Sequence, residues 1–509
     1  MWDAIVIGSG ISGLTAAAAL SRAGEKILLL EQHWLAGGLT QTFRRGDWQF
    51  ATGVHYLSGV ADTDGPEGQF RRMLDWLSGG AMRFVPLANP YDIIRLPGFS
   101  FGICHPPERF RADLLTRFPE EAGAIDDWFS QLDAAGAAAN ALLLERGLPR
   151  WLAWAVRLWK RSDIATYAHR TVTEALANIC DLRLRAVLGA RGGDYGAAAA
   201  DAPLIEHALV TAAYGTGAYY PAGGPGEFAR RLVPIIKAAG GKVVLGADVT
   251  GIELADGHVS AVRYVRGGKE VREESAHIIS TIGVLNTLER LPADAAPEWR
   301  DAAADLAPGP SYIALYLGFD GDIAAAGASS ANIWLYEQPG DIEWLWDDPA
   351  QEDAPGLFIS FPSLKDPEHK GGHTAEVLAL CSSAPFARWL DRPDGHDDPA
   401  YQALKLAIGE RLLAQFARHF ADLAAMVRFR EISTPLSQQR FVRTPAGAMY
   451  GLDMSAGRIE SKALSVHTPV PGLLLAGQDV TGAGVQPSSI SGMLAAAAIR
   501  PSLLRHFNG

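Results

Sequence analysis

The residues that invite a chemical reading stand near the two ends of the chain. Close to the start, Gly8-Ser9-Gly10-Ile11-Ser12-Gly13 spaces three glycines as GxGxxG. The first permits a tight turn out of a strand. The second leaves the backbone bare for a pyrophosphate, and the third lets the following helix pack close to the strand. A helix begun at such a turn, with Ser12 in its first residues, offers free N–H groups and a positive dipole end to phosphate. Glu31, about twenty residues on and followed by Gln32, supplies the carboxylate that ribose hydroxyls require. A chance glycine-rich turn is the bland alternative, and it leaves the ordered strand, helix and acid unexplained.

A second glycine pair lies just beyond, in Leu35-Ala36-Gly37-Gly38-Leu39-Thr40. Bare backbone there lets a phosphate and ribityl chain pass. Alone it reads equally well as a simple loop; after a complete βαβ unit it favours FAD over NAD. The third motif is Gly472-Leu473-Leu474-Leu475-Ala476-Gly477-Gln478-Asp479, followed by Gly482-Ala483-Gly484 and an alanine-rich helix. A strand ending in a carboxylate before a glycine loop can bind ribityl hydroxyls, although Asp479 also suits an ordinary helix cap. Gln486 and Ser488, at the start of the last helix, are further candidates for contact with flavin or substrate.

The elements that must position these groups can be read from the same stretches. Asp3–Ile7 predicts a buried parallel strand, Leu14–Ala23 a helix ended by Gly24, and Lys26–Leu30 the next strand. Pro221–Gly226 predicts a turn, Glu227–Ala239 a helix and Lys242–Leu245 a strand. Val249–Leu254, Val259–Tyr264 and Val271–Glu274 predict a β-meander, and Ile278–Ile282 a strand that returns to the main sheet. Leu473–Ala476 is expected as strand, Gly477–Pro487 as loop and Ser488–Ile499 as helix. Between these pieces lie helical stretches near Glu120–Leu144, Trp151–Thr166 and Thr173–Leu188, and strands at Tyr312–Phe319 and Glu376–Ser382. The fold class expected is α/β: a Rossmann-type FAD-binding domain with a β-meander, plus an inserted mixed α+β substrate domain. The cofactor domain takes residues 1–80, 221–291 and 441–509; the substrate or membrane-facing domain takes 81–220 and 292–440.

Three motifs and Tyr220-Pro221-Ala222-Gly223-Gly224 resemble the phytoene desaturase/retinol saturase superfamily of FAD enzymes. Carotenoid isomerases and, more distantly, amine oxidases belong to it. Thr52-Gly53-Val54-His55-Tyr56-Leu57 and Ala476-Gly477-Gln478-Asp479 look most like its retinol saturase branch. The resemblance is strong at both ends and around 220–282, and poor in the two insertions. It implies that Val249 lies against the adenine through its backbone. It also implies hydride exchange between flavin N5 and a carbon of a long apolar polyene, by desaturation, saturation or isomerisation. His55 and Tyr56 are the candidate catalytic side chains, since both can donate a proton and Gly53 allows close approach. A hydrogen-bonded core histidine and a packing tyrosine are the alternative, and packing is the expected role of Tyr219 and Tyr220. Two other readings stand beside the polyene enzyme: an FAD amine oxidase, and a non-catalytic prenyl-lipid carrier of the kind that escorts prenylated GTPases.

Composition narrows the classes. The 509 residues suffice for more than one structural unit; 48% are hydrophobic and 20% charged, as in ordinary globular proteins. A net charge of −12 argues against general nucleic-acid binding. Three scattered cysteines, Cys104, Cys180 and Cys381, argue against a disulfide framework or a zinc site, and no metal is expected. No apolar run is long enough to span a bilayer, and no basic leader precedes the first strand, so a cytoplasmic location is expected. Trp151, Trp154, Ala155 and Leu158 share one helical face, beside a basic stripe of Arg150, Arg157, Lys160 and Arg161. Such a helix suits peripheral contact with a membrane, from which an apolar substrate would enter. The alternative is a helix packed on the core with a solvated basic face. The sequence leaves the oligomeric state open.

Overall fold

The computed structural model describes residues 1–508 except Asp64, Pro66 and Glu67; the side chains of Arg150, Phe507 and Asn508 also lie outside the described residues. Ala4–Ile7 and Ile27–Glu31 are buried at every position, with no alternation, as a parallel strand covered on both faces must be. Among the described residues they centre a five-stranded sheet in the order 473–475, 278–280, 4–7, 27–31, 242–245, parallel throughout. The first helix runs Ile11–Arg22, one turn earlier than predicted, because Gly10 itself forms its N-terminal boundary. Its alanines let the last helix, Val485–Ile499, lie close: a Cβ on Gly492 would come within 2.2 Å of the Ser12 carbonyl oxygen. The predicted meander forms a separate antiparallel sheet of Asp248–Ala255, His258–Arg266 and Lys269–Glu274.

A second layer is a seven-stranded sheet in the order 427–433, 311–319, 373–381, 356–360, 332–336, 92–96, 99–103. Its strands alternate faces residue by residue. Tyr312, Tyr316, Trp334, Tyr336 and Phe358 turn to one core, while Ile313, Leu315, Leu317, Ile333 and Ile359 turn to the other. The second core is closed by the helix Pro399–His419 through Ile408, Leu412 and Phe416. The first faces helices that include Ala122–Gly147 and Leu204–Ala213.

Two local expectations need correction. The helix expected over 173–188 is two: Thr171 and Glu174 form a capping box for Val172–Ala175, the chain then breaks, and Asp181 caps a new helix, Leu182–Gly189. The loop expected over 477–487 contains a short helix, Gln478–Thr481, between glycines at φ +118° and +115°. Arg150–His169 is a single helix. No helix among the described residues is long and apolar enough to cross a membrane.

Candidate functional site

A cavity of about 1090 Å3 runs between the two layers. That exceeds the ~300–1,000 Å3 of ordinary small-molecule pockets, as a space for a dinucleotide and a substrate together must. Gly8, Gly10, Ser12, Glu31, Gln32, Gly38, Leu39, Thr40, His55, Tyr56, Val249, Gly477, Asp479 and Gln486 all line it. Ser488 lines it too, whereas Gly13 and Gly37 stand behind the wall, and Tyr219 and Tyr220 pair with the strand Phe84–Pro86 instead.

At the nucleotide end the three glycines do different work. Gly8 sits at φ +95°, a conformation that disfavours any side chain. A Cβ on Gly13 would fall 1.9 Å from the Gly8 carbonyl oxygen, so this glycine sets helix-to-turn contact. A Cβ on Gly10 would meet no atom within 4 Å: it would project into the cavity. The helix N-terminus there has no side-chain cap, and the Ser12 hydroxyl is buried without a partner. Free N–H groups, an orphaned hydroxyl and a glycine-bared wall match the oxygen-rich pyrophosphate of FAD.

Glu31 is held rather than free. Its Oε2 accepts from the Ser9 N–H at 2.9 Å and hydroxyl at 2.6 Å, and its Oε1 accepts from the His33 N–H at 2.8 Å. Oε2 is thereby filled, and Oε1 keeps acceptor capacity for a ribose hydroxyl. Ser9 ties the first two motifs together, because the Gly37 N–H donates to its carbonyl and hydroxyl oxygens. Gly38, at φ +54°, packs so closely that a Cβ would lie 3.0 Å from the Gly10 Cα. Thr52 donates to the Leu39 carbonyl and brings Gly53 against Leu39. Gln32 spends its amide on the Phe441 carbonyl, and the Val249 carbonyl accepts from Arg290. Gln486 rests on the Ser58-Gly59 turn.

Asp479 is buried, and its Oδ2 accepts from the Val284 N–H at 2.9 Å. Burial pushes its carboxyl up, while the Arg458 and Arg146 guanidiniums pull it back. Both arginines are themselves buried and spend their donors on backbone carbonyls around the third glycine loop.

Beyond the glycine loops the cavity opens into an aromatic chamber formed by Tyr312, Tyr316, Tyr336, Tyr450, Trp334 and Phe358. His55 and Tyr56 enter it from the loop after Trp48–Ala51. His55 Nδ1 lies 2.6 Å from Glu376 Oε2, and its Nε2 is buried without a partner. The Tyr56 hydroxyl donates to Asp194 at 2.8 Å, and its ring stacks on Tyr214. Behind Asp194, Arg191 ion-pairs with both Asp194 and Asp92 and lies 4.4 Å from the Tyr214 ring centre. Lys365, also buried, donates to the His55 carbonyl, Ser360 and Asn332, and Asn332 in turn donates to Asp92. Burial raises the Asp194 carboxyl to about 7, opposed by Arg191 and helped by Asp92. Burial lowers the Lys365 ammonium to about 7, opposed by Glu376 and Asp92. Asp92, Asp194, Arg191, Lys365 and Glu376 escape a reading of the sequence: none lies in a motif, and the fold brings Asp92 and Glu376 of the seven-stranded sheet against Lys365 and the short helix Gly192–Tyr195 that Arg191 precedes.

A parallel nucleotide-binding sheet whose glycine loops line one wall of a cavity, with an aromatic chamber beyond, defines a flavoprotein oxidoreductase. The model of the family described as flavin containing amine oxidoreductase matches residues 11–500, and the chain belongs to that family. It is an FAD-dependent oxidoreductase. All-trans-retinol 13,14-reductase of Danio rerio is 29% identical over 512 residues, covering 94% of this chain and 82% of its own. Prolycopene isomerase of Arabidopsis thaliana is 24% identical, covering 89% and 74%. Cyclohexylamine oxidase from Brevibacterium oxydans IH-35A superposes with a TM-score of 0.64 at 18% identity over 99% of this chain and all of its own, which shows a shared fold. These likenesses bear out the superfamily read from the motifs.

Proposed function

We propose that this oxidoreductase exchanges a hydride between FAD and a carbon–carbon bond of a long apolar polyene: a retinoid, a carotenoid or a related isoprenoid lipid. The observation that carries the reading is the chamber. Its walls are aromatic, and His55, Tyr56 and Asp194 line it together. Relatives that reduce retinol and isomerise prolycopene support the same substrate class.

Bound FAD supplies two-electron hydride chemistry; the chain supplies binding, orientation and protons. Gly8, Gly10, Ser12 and the helix behind them hold the pyrophosphate, with Gly13 setting the turn, and Glu31 with Gln32 holds the ribose. Val249 flanks the adenine. Gly38, Leu39, Thr40, Gly477, Asp479 and Gln486 hold the ribityl and flavin portions, with Gly37 tying their loop to Ser9. Tyr56 presents its hydroxyl and His55 its Nε2 to the reacting bond as the groups that give or take a proton. Segments 1–80, 221–291 and 441–509 form the cofactor unit, and 81–220 with 292–440 the substrate unit.

The 150–169 helix is the membrane-facing element of this reading. Trp151, Trp154, Leu158 and Trp159 are all more than 60% exposed, an unusual density of large apolar side chains. Leu143 of the neighbouring helix lines the cavity, while Leu144 beside it is exposed. In this reading the substrate passes from this apolar surface to the chamber.

The test is anaerobic addition of a polyene panel to the oxidised and to the chemically reduced holoprotein, followed by flavin absorbance. Bleaching of oxidised flavin identifies a desaturase, and reoxidation of reduced flavin a saturase. Amines are the competing substrate class, in keeping with the family; bleaching by amines and by no polyene would replace this reading.

A further inference from the structure

The buried charges behind the chamber do not balance. Asp92, Asp194 and Glu376 are three carboxylates, and Arg191 and Lys365 are the two cations that face them. His55 contacts Glu376 as well. An interior of low polarity penalises a net charge, so with the His55 ring neutral the cluster balances only when it holds one further proton. Of the three carboxylates, Asp194 is the one whose side chain lines the cavity. Both of its oxygens lie within 2.9 Å of the Tyr56 hydroxyl, which also lines the cavity.

Resting on the polyene reading, we propose that Asp194 is the proton source behind Tyr56. With Asp194 ionised, Tyr56 donates to the carboxylate and is spent. With Asp194 protonated, the carboxyl donates to the phenol oxygen and frees the Tyr56 O–H to point into the chamber. Reduction then balances as follows. The π electron pair of the double bond forms a new C–H bond to the Tyr56 proton, and Tyr56 recovers a proton from Asp194. The hydride for the other carbon would be supplied by reduced FAD held at the glycine loops, with the flavin oxidised in exchange. Asp194 remains as a carboxylate beside Arg191 and regains its proton from solvent. Desaturation runs the same transfers in reverse, with Asp194 as acceptor.

The groups around Asp194 suit that task. Arg191 at 3.3 Å stabilises the carboxylate, and Asp92, on the neighbouring strand, disfavours a second negative charge. Its other titratable neighbours are phenols: Tyr91, Tyr214, Tyr336, Tyr450 and Tyr195 are all held above their ordinary range by burial and stay neutral. Asp194 itself titrates at about 7, so both of its forms are populated at neutral pH.

The experiment pairs two readouts on the holoprotein. Infrared titration of substrate-free wild type and of Asp194→Asn is expected to show a protonated-carboxyl band that disappears with a midpoint near pH 7 and is missing from the variant. Stopped-flow flavin exchange with the active polyene is expected to fall ~100-fold or more in Asp194→Asn and in Tyr56→Phe, with FAD retained. Asp194→Glu should restore part of the rate with a displaced pH profile. A variant that keeps the band, or that reacts at the wild-type rate with an unchanged pH profile, overturns the assignment alone. A wild type that exchanges electrons with no polyene overturns the substrate reading and this assignment with it.

Discussion

His55 and Glu376 stand 321 residues apart in the chain, yet His55 Nδ1 lies 2.6 Å from Glu376 Oε2. The other carboxylate oxygen accepts from the Ala51 N–H at 2.6 Å, so one fully buried side chain anchors both the ring and the loop that carries it. With Nδ1 donating to the carboxylate, a neutral ring presents Nε2 to the chamber as an acceptor. Glu376→Ala strands two buried donors at about 1–3 kcal/mol each, so a clear drop in thermal midpoint is expected. Glu376→Gln keeps an acceptor for Ala51 but turns an amide N–H toward Nδ1, which reverses the tautomer. That variant should retain most of its stability and lose flavin reactivity. Equal reactivity in wild type and Glu376→Gln would show that the ring only packs.

Gly10 and Gly13 belong to one motif and should fail in opposite ways. Gly10 has ordinary dihedrals and an empty space where a Cβ would go. Gly10→Val should fold with an unchanged thermal midpoint as apoprotein and purify colourless, since its side chain occupies the pyrophosphate wall. Gly13→Ala drives a methyl into the Gly8 carbonyl and should cost about 1–3 kcal/mol or more before any cofactor is added. Calorimetry of the two apoproteins checks this; a yellow, fully loaded Gly10→Val would move the cofactor off this wall.

How much could be read in advance follows from the range over which each signal acts. Gly8, Gly10, Gly13 and Glu31 sit in one βαβ unit, where spacing alone carries the geometry. The strand Lys242–Leu245 has the predicted bounds because glycines punctuate both its ends. The strands Asp92–Leu96, Asn332–Tyr336 and Gly356–Ser360 were not legible. Each is five residues long and gains its identity only from neighbours far along the chain. Asp194 and Lys365 are the extreme case: nothing within ten residues marks either as part of a site. The break after Ala175 did leave a signal, since Thr171 and Glu174 stand at capping-box spacing and Asp181 at a cap position.

The titration of Asp194 also has a sign that stability can read. Its folded value, about 7, lies above the ordinary 3.8, so the folded state binds the extra proton between those limits. Stability from this group is therefore full below the unfolded value and is lost as pH rises toward 7. Asp194→Asn removes that loss. Its advantage over wild type should grow between pH 4 and 7, at up to about 1.4 kcal/mol per pH unit, and level off above. Lys365 acts on the other side: its value is lowered to about 7, so its cost to the fold grows as pH falls from 10.5 toward 7 in both proteins. Denaturant midpoints across pH 4–9 measure the difference, and a constant gap between the two proteins would mean that Asp194 stays ionised throughout.

The 150–169 helix offers the most direct check on where the substrate enters. Trp154 and Leu158 lie on the face predicted to be apolar, 62% and 69% exposed, so replacing them disturbs no core. Trp154→Glu with Leu158→Glu should leave the thermal midpoint within about 0.5 kcal/mol of wild type in stability. If that face enters a bilayer, each side chain contributes about 1.5–3 kcal/mol to binding, and affinity for vesicles should fall ~100-fold or more. The basic stripe contributes less than its sequence suggests. Arg157 is drawn back to Glu145 at 2.9 Å and Lys160 to Asp163 at 3.0 Å, whereas Arg161 is exposed and makes no ion pair among the described residues. Binding to vesicles containing phosphatidylserine should therefore depend only modestly on salt, at about 1 kcal/mol per free basic side chain. Co-sedimentation at low and high salt measures both effects. A double variant that sediments like wild type would place the apolar face against another protein surface, and steep salt dependence would shift the contact to the charges.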